Sequence, residues 1–239
     1  MGLDIYVGSL TRYYSGDWET ILQQLSPVPV TIVRPNSPRQ GLFRGLLDRL
    51  RRKDKDEDAA SAVRRWQKQI QQELGAPDLD WNEDPNSEYF TDKPGWDCYG
   101  ALLLWAAYEE LPDAKRSQTA EDWERDPAYL TNRGDPRGRY RHLTGNTEIW
   151  LPADFPDPIQ TLAVTGDHVV LGSSVRLLAE LSELNDRTWA VSDAQLSQWR
   201  QDGADYGGPL EASARFAFSI FHELARRAVE HRLPMKLDY

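Results

Sequence analysis

The only cysteine of the chain lies at the start of its most apolar segment. Cys98 follows the turn Pro94-Gly95 and precedes a stretch without charge from residue 99 to residue 108. A Pro-Gly turn, an Asp and an apolar run together predict a helix start, with Asp97 as the N-cap. The first turn of a helix lowers the pKa of a thiol, so Cys98 is a candidate nucleophile. A cysteine buried in the core would fit the same pattern, and this alternative stays open.

A cysteine nucleophile needs a base to accept its proton, and the chain has four histidines. His168 is the favoured base because it begins a predicted strand, and in papain-like arrangements the cysteine helix packs against a sheet that carries the histidine. The other three histidines are His142, His222 and His231. No His or Cys spacing matches a metal site, and no glycine-rich phosphate loop is present, so neither metal nor cofactor is expected.

Two short stretches around these residues resemble the NlpC/P60 cysteine hydrolases. The first runs from Asp97 to Leu102 and the second from Gly166 to Gly172. The family has an Asp-Cys-Ser-Gly-Leu helix start and then a strand carrying His, whereas Tyr99 stands here in place of the usual Ser. The resemblance implies that Cys98 is the nucleophile and His168 the base.

A second candidate site follows the first predicted strand, where polar and aromatic residues crowd together. Its members are Arg12, Tyr13, Tyr14, Asp17, Trp18 and Glu19. An arginine here could hold a carboxylate or phosphate, and the rings could stack on a ligand or contact a partner. Alternatively, the loop packs on the core through its rings. The opening Met1–Tyr14 is similar to that of uncharacterised bacterial proteins, which implies a bacterial source and no particular activity.

The charge of the chain limits its partners. A net charge of −10 disfavours nonspecific binding to nucleic acid or to an anionic membrane, and suits a basic protein partner. The charges form blocks: residues 34–55 and 133–141 are basic, and residues 78–97 are acidic. These blocks are either solvated faces or surfaces that bind partners of opposite charge. One cysteine and the lack of a signal-peptide pattern favour a reducing, cytoplasmic location.

The hydrophobic pattern predicts an α-rich α+β fold, in which several helices pack around a small mixed or antiparallel sheet. The predicted strands are 3–7, 30–33, 161–164, 168–171 and 235–239, and strand 161–164 forms a hairpin with strand 168–171. A turn-rich loop follows the first strand, residues 140–151 are extended, and residues 78–95 are mostly loop. The main predicted helices are 17–25, 40–52, 59–74, 175–184, 192–200 and 210–230. We expect a single domain over residues 1–239, with a possible subdivision near 140–158.

Two functions from different classes follow. The first is a soluble bacterial interaction protein without catalytic activity, of the immunity type that neutralises a basic protein partner; the absence of catalytic motifs favours it. The alternative is a cysteine hydrolase with Cys98 as nucleophile and His168 as base. Neither nucleic acid nor membrane is an expected partner, and the oligomeric state is left open.

Overall fold

A six-stranded mixed sheet forms the centre of the protein. The computed structural model describes residues 2–26, 45–133, 135–205 and 207–239, and of residues 45–57 it describes the backbone. The strands are β1 (Asp4–Val7), β2 (Phe90–Asp92), β3 (Ile149–Leu151), β4 (Ile159–Leu162), β5 (His168–Ser173) and β6 (Met235–Asp238), in the spatial order β2-β1-β6-β3-β5-β4. β3 and β5 are parallel and the other pairs are antiparallel, which confirms the predicted α+β fold with a mixed sheet.

Helices cover both faces of this sheet. They are α1 (Leu10–Ser15), α2 (Ile21–Leu25), α3 (Gly45–Glu73), α4 (Trp96–Glu110), α5 (Pro127–Asn132), α6 (Arg141–Thr144), α7 (Ser174–Thr188), α8 (Asp193–Asp202) and α9 (Leu210–Glu230), with a short 3₁₀ helix at Trp123–Arg125. None of the helices in the described ranges is long and apolar enough to cross a bilayer.

The alternation of side chains along the strands divides the core between the two faces. In β3, Trp150 packs with α4, α7 and α9, whereas Ile149 and Leu151 pack with α1 and α3 on the other side. Successive residues of a strand point to opposite faces, so one short strand contributes to both cores.

α4 and α9 are the main helices of the larger core. α4 is buried on nearly all sides, which explains why its sequence is apolar with no helical period. α9 is amphipathic, as its sequence pattern predicts, and its apolar stripe faces α4 and the sheet. The predicted hairpin of β4 and β5 is also confirmed, with Leu162 opposite His168 at the turn.

Some predicted boundaries are wrong. Gly95, with a φ of 76°, is the N-cap of α4, so Asp97 lies inside the first turn and is not the cap. Glycine adopts this backbone conformation without the steric cost that Asp would incur. The backbone of α3 continues through residues 53–58, where we expected a break. That segment contains neither Gly nor Pro, so its charges alone do not end the helix.

Short elements were missed where the local sequence is weak. α1 lies in a segment predicted as a turn-rich loop, β2 in the predicted loop 78–95, and α6 in the predicted extended segment 140–151. Elements of this length depend on tertiary partners more than on propensity. The predicted strand 30–33 and the start of the predicted helix 40–52 lie outside the described residues. The single domain stays a prediction.

Candidate functional site

Cys98 is a buried residue in the larger core. It is the third residue of α4, has no exposed surface, and is not in a disulfide. The pKa of the thiol is raised to about 11, mainly by burial and to a smaller extent by the carboxylates of Asp97 and Asp205, while a hydrogen bond with Ser213 acts in the opposite direction. The thiol is therefore protonated at neutral pH, which is the reverse of what a nucleophile needs. Here the loss of hydration outweighs the helix terminus.

His168 is not placed to accept a proton from Cys98. Its side chain is exposed at the start of β5, where it pairs with Leu162 on the edge strand β4. Cys98 instead contacts Ser213 on α9. The structure does not bring the proposed nucleophile and base together.

The N-terminal residues form an aromatic cluster with Tyr6 of β1. The ring of Tyr6 lies 5.3 Å from that of Tyr13 and 4.9 Å from that of Trp18, and Tyr13 and Trp18 stack at 5.5 Å. Tyr14 meets Tyr13 edge-on at 5.1 Å. Burial raises the pKa of Tyr14 to about 12. The rings therefore pack largely against one another and the sheet, as the alternative interpretation of this cluster expects.

The charged members of that cluster divide between structural and exposed positions. Arg12 donates to the carbonyl of Ser87 at 2.6 Å, and its guanidinium lies 4.9 Å above the ring of Tyr89. Asp17 and Glu19 are exposed. The structure thus places all six residues near one another, and their role as a binding site stays a prediction.

The acidic block 78–97 serves two purposes in the folded protein. Glu83 accepts backbone hydrogen bonds from Leu10 and Thr11 at the start of α1, and Asp92 pairs with Arg200 at 2.5 Å. Burial raises the pKa of Glu83, although these hydrogen bonds oppose the shift. Five other carboxylates of the block are exposed: Asp78, Asp80, Asp84, Glu88 and Asp97.

One of these, Asp97, belongs to a groove that collects carboxylates from distant parts of the chain. We call it the acidic groove. It has a volume of about 550 Å³ and is formed by the start of α4, the segment 119–125 and residues 207, 208 and 213. Its charged lining residues are Asp97, Glu121, Asp122, Glu124 and Arg125. Four carboxylates thus face one guanidinium, so the groove attracts cations.

Two indole rings line the same groove. The ring centroids of Trp96 and Trp123 are 5.7 Å apart, and the indole N–H of Trp96 donates to Glu124 at 3.2 Å. Trp123 also contacts the rings of Tyr99 and Tyr129. The groove therefore combines negative charge with aromatic surface.

A buried hydrogen-bond network holds the segment that carries these carboxylates. The hydroxyl of Tyr108 donates to Asp126 at 2.6 Å, and the hydroxyl of Ser117 donates to the same oxygen at 2.9 Å. The other oxygen of Asp126 accepts from the N–H of Ala128 and so caps α5. Because Tyr108 lies on α4, the network fixes the acidic segment to the core.

Gly100 leaves room for the ring of Trp123, which belongs to the same acidic segment. A Cβ atom at this position of α4 would lie 2.2 Å from the Trp123 ring.

The sequence analysis did not predict the acidic groove. The available signal was the run from Glu121 to Asp126, where four carboxylates surround a tryptophan.

Residues 45–237 match the model of a protein family described as "Putative DNA-mimic protein". The chain belongs to this family. The match covers most of the chain and includes the acidic groove, whereas the N-terminal cluster lies outside it. No curated protein and no solved structure matches the chain.

Family membership corrects the predicted function. The prediction of an immunity-type protein is wrong, since the matching family is described as one of DNA mimics rather than of immunity proteins. The alternative, an NlpC/P60-like cysteine hydrolase, is overturned by the same match and by the buried, protonated Cys98. Within the described residues, no group of three or more His, Cys, Asp or Glu side chains could hold a metal ion.

Proposed function

We propose that this chain binds a DNA-binding protein in place of DNA, with its surface carboxylates in the positions of phosphates. The family match carries the proposal. Two properties of the chain support it, the net charge of −10 and the acidic groove. No bound nucleic acid is required, in line with the acidic composition.

Electrostatics explain how such a protein can compete with DNA. Proteins bind DNA largely by placing Lys and Arg against phosphates. A second polyanion of suitable shape attracts the same basic surface and excludes the duplex from it. Exposed carboxylates in the groove, such as Glu121 and Asp122, are available to make these contacts.

A competition assay tests the proposal. The chain is immobilised, a bacterial lysate is passed over it, and retained proteins are eluted with a short DNA duplex. Each eluted protein is then purified and bound to labelled duplex, and the chain is added. We expect the chain to release the duplex. The triple variant Glu121→Lys, Asp122→Lys, Glu124→Lys should weaken its binding to the retained protein at least about a hundredfold, because close charge pairs at interfaces couple strongly.

A matched variant controls for net charge. Glu73→Lys, Asp167→Lys and Asp186→Lys make the same change in charge at exposed positions that do not line the groove. This variant should still displace the duplex. A ternary complex, in which the retained protein holds the chain and the duplex at once, would contradict the proposal.

Several sequence-based expectations remain predictions beside this proposal. They are the bacterial source, the cytoplasmic location and the use of the N-terminal cluster as a binding surface.

A further inference from the structure

The strand β4 forms one edge of the central sheet and pairs with β5 alone. The strand at the other edge, β2, is only three residues long, and side chains of α2 and α8 contact it. Gln24 donates to the hydroxyl of Thr91 at 3.2 Å, and Asp92 pairs with Arg200 at 2.5 Å. An unpaired edge exposes backbone groups that attract a further strand, and natural proteins usually protect such edges. β4 is therefore the edge at which the sheet can be extended.

Two residues of β4 direct their backbone N–H and C=O groups away from the sheet. At the turn of the hairpin, the N–H of Ala163 donates to the carbonyl of Asp167 at 2.8 Å. Hydrogen-bonded pairs alternate along an antiparallel ladder, so Leu162 and Gln160 face outward. Among the residues that the structure describes, none accepts a backbone hydrogen bond from either N–H. These groups are available to another strand.

The carbonyl of Leu162 already accepts one hydrogen bond. The indole N–H of Trp66 on α3 donates to it at 2.6 Å. A carbonyl oxygen has two lone pairs, so this oxygen can still accept from a further strand. The open edge thus keeps both its donors and its acceptors.

The open edge also lacks charge. Residues 158–166 contain no Asp, Glu, Lys or Arg, although these types make up 28% of the chain. A charged side chain, above all lysine, is a common protection of an edge strand, and β4 carries none. Because each copy of the chain has a net charge of −10, this edge is a surface at which two copies can approach with little repulsion.

Thr161, between the two outward-facing residues, provides an independent indication of a partner. Its side chain is 7% exposed, and its hydroxyl oxygen is buried without a hydrogen-bond partner in the described part of the chain. A buried hydroxyl in this state costs free energy. A two-fold axis at Thr161 would place the threonines of two copies directly opposite each other, in a pair without backbone hydrogen bonds, where side chains lie closest. Each hydroxyl could then bond to the other.

We propose that two copies of this chain pair through β4, antiparallel and about a two-fold axis at Thr161, and so join their sheets edge to edge. In this register Gln160 lies opposite Leu162 of the second copy, and each outward N–H donates to the carbonyl opposite. A second copy suits the edge better than an unrelated strand, because the symmetry brings a threonine without a partner to the axis from each side. The pairing is independent of the proposed function.

A cysteine cross-link tests the register on the full chain. Cys98 is buried, so it does not compete with a cysteine introduced on β4. We expect Thr161→Cys to form a disulfide-linked dimer in oxidised glutathione, since directly opposite residues of such a pair lie within the span of a disulfide. Leu162→Cys is the matched control. It is more exposed but lies opposite Gln160 of the second copy, so its cross-linking should be about tenfold slower or more.

Sedimentation equilibrium measures the pairing without a cysteine. Because two short strands bury little surface, we expect a dissociation constant of about 10 µM to 1 mM. Gln160→Pro removes an outward N–H that β5 does not use, so it should leave the monomer folded and weaken the dimer about tenfold or more. Gln160→Ala keeps this N–H and should pair as the original protein does. Circular dichroism checks that both variants are folded.

Salt separates this pairing from the binding of a basic partner. Added salt screens the repulsion between two acidic copies and should strengthen the dimer, whereas it weakens binding to a basic protein. A chain that stays monomeric at about 1 mM, or a Thr161→Cys that cross-links no faster than Leu162→Cys, would overturn the inference. Protection of the Thr161→Cys thiol by the retained DNA-binding protein alone would assign the edge to that protein, and the inference would be wrong. None of these results decides whether the chain displaces duplex DNA, so the proposed function is tested separately.

Discussion

At the scale of single residues, Gly100 determines whether Trp123 can lie in the groove. Replacing glycine by alanine inside a helix usually stabilises a protein by about 0.5–1 kcal/mol. Here the added Cβ would lie 2.2 Å from the Trp123 ring, so the ring must move. We expect Gly100→Ala to lower the free energy of unfolding by about 1–3 kcal/mol, the usual cost of overpacking. Denaturant titration measures it.

The same substitution links packing to binding. Because Trp123 moves and its neighbours Asp122 and Glu124 move with it, Gly100→Ala should also weaken binding to the DNA-binding protein retained in the competition assay. Gly138→Ala is the control, since its Cβ would meet a backbone oxygen at 3.1 Å and no part of the groove. A Gly100→Ala protein as stable as the original would show that Trp123 does not depend on this position.

At the scale of elements, His142 links α6 by hydrogen bonds to the end of β5 and to the loop at Pro156. Its Nδ1 accepts from the N–H of Ser173 at 2.9 Å, so Nε2 carries the proton and faces the carbonyl of Pro156 at 3.2 Å. The backbone N–H groups of His142 and Leu143 donate to Glu180 of α7. The short helix α6 is therefore held by side chains of distant sequence.

This arrangement makes stability depend on pH. Burial lowers the pKa of His142 to about 4, so below about pH 6.5 the unfolded chain binds a proton that the folded chain does not, and stability falls with falling pH. Burial raises the pKa of Glu180 to about 8, which has the opposite effect, with stability falling as pH rises from 4.5 to 8. The His142→Asn variant separates the contribution of His142 from that of Glu180, because Glu180 is present in both the variant and the original protein.

We expect His142→Asn to be less stable at pH 7 by about 1–3 kcal/mol, the cost of disturbing buried hydrogen bonds. Its deficit should shrink by about 2 kcal/mol between pH 7 and pH 4.5, as the histidine of the unfolded original protein becomes protonated. Denaturant unfolding at several pH values measures the difference. Parallel curves for the two proteins would contradict this assignment.

At the scale of the whole molecule, the net charge of −10 should make partner binding dependent on salt. Duplex DNA releases condensed counterions when a protein binds it, and its affinity falls steeply with salt. Carboxylates spread over a folded surface condense fewer ions, so the chain should show a shallower slope of log affinity against log salt. Titrations between 50 and 200 mM salt compare the two ligands on one partner; equal slopes, or binding indifferent to salt, would be inconsistent with this prediction.

Much of the fold could be predicted from the sequence, because periodicity is a local property. The alternating apolar residues of β1, the β4–β5 hairpin and the amphipathic stripe of α9 each appear within one short window, and the structure confirms them. The lone cysteine was equally visible. Its chemistry was not, because burial in the core raises the thiol pKa, and burial depends on residues far along the chain.

By itself, the sequence determined most of the longer elements, the acidic charge and the absence of a recognisable catalytic motif. The tertiary structure decided the rest. It buried Cys98, left His168 exposed, and joined Asp97, the 121–124 segment and residues 207–208 into one groove. These parts are separated by up to about a hundred residues. Long-range contacts bring them together, among them the packing of α4 against α9 and the hydrogen bond from Tyr108 to Asp126, so no local pattern could have predicted the groove.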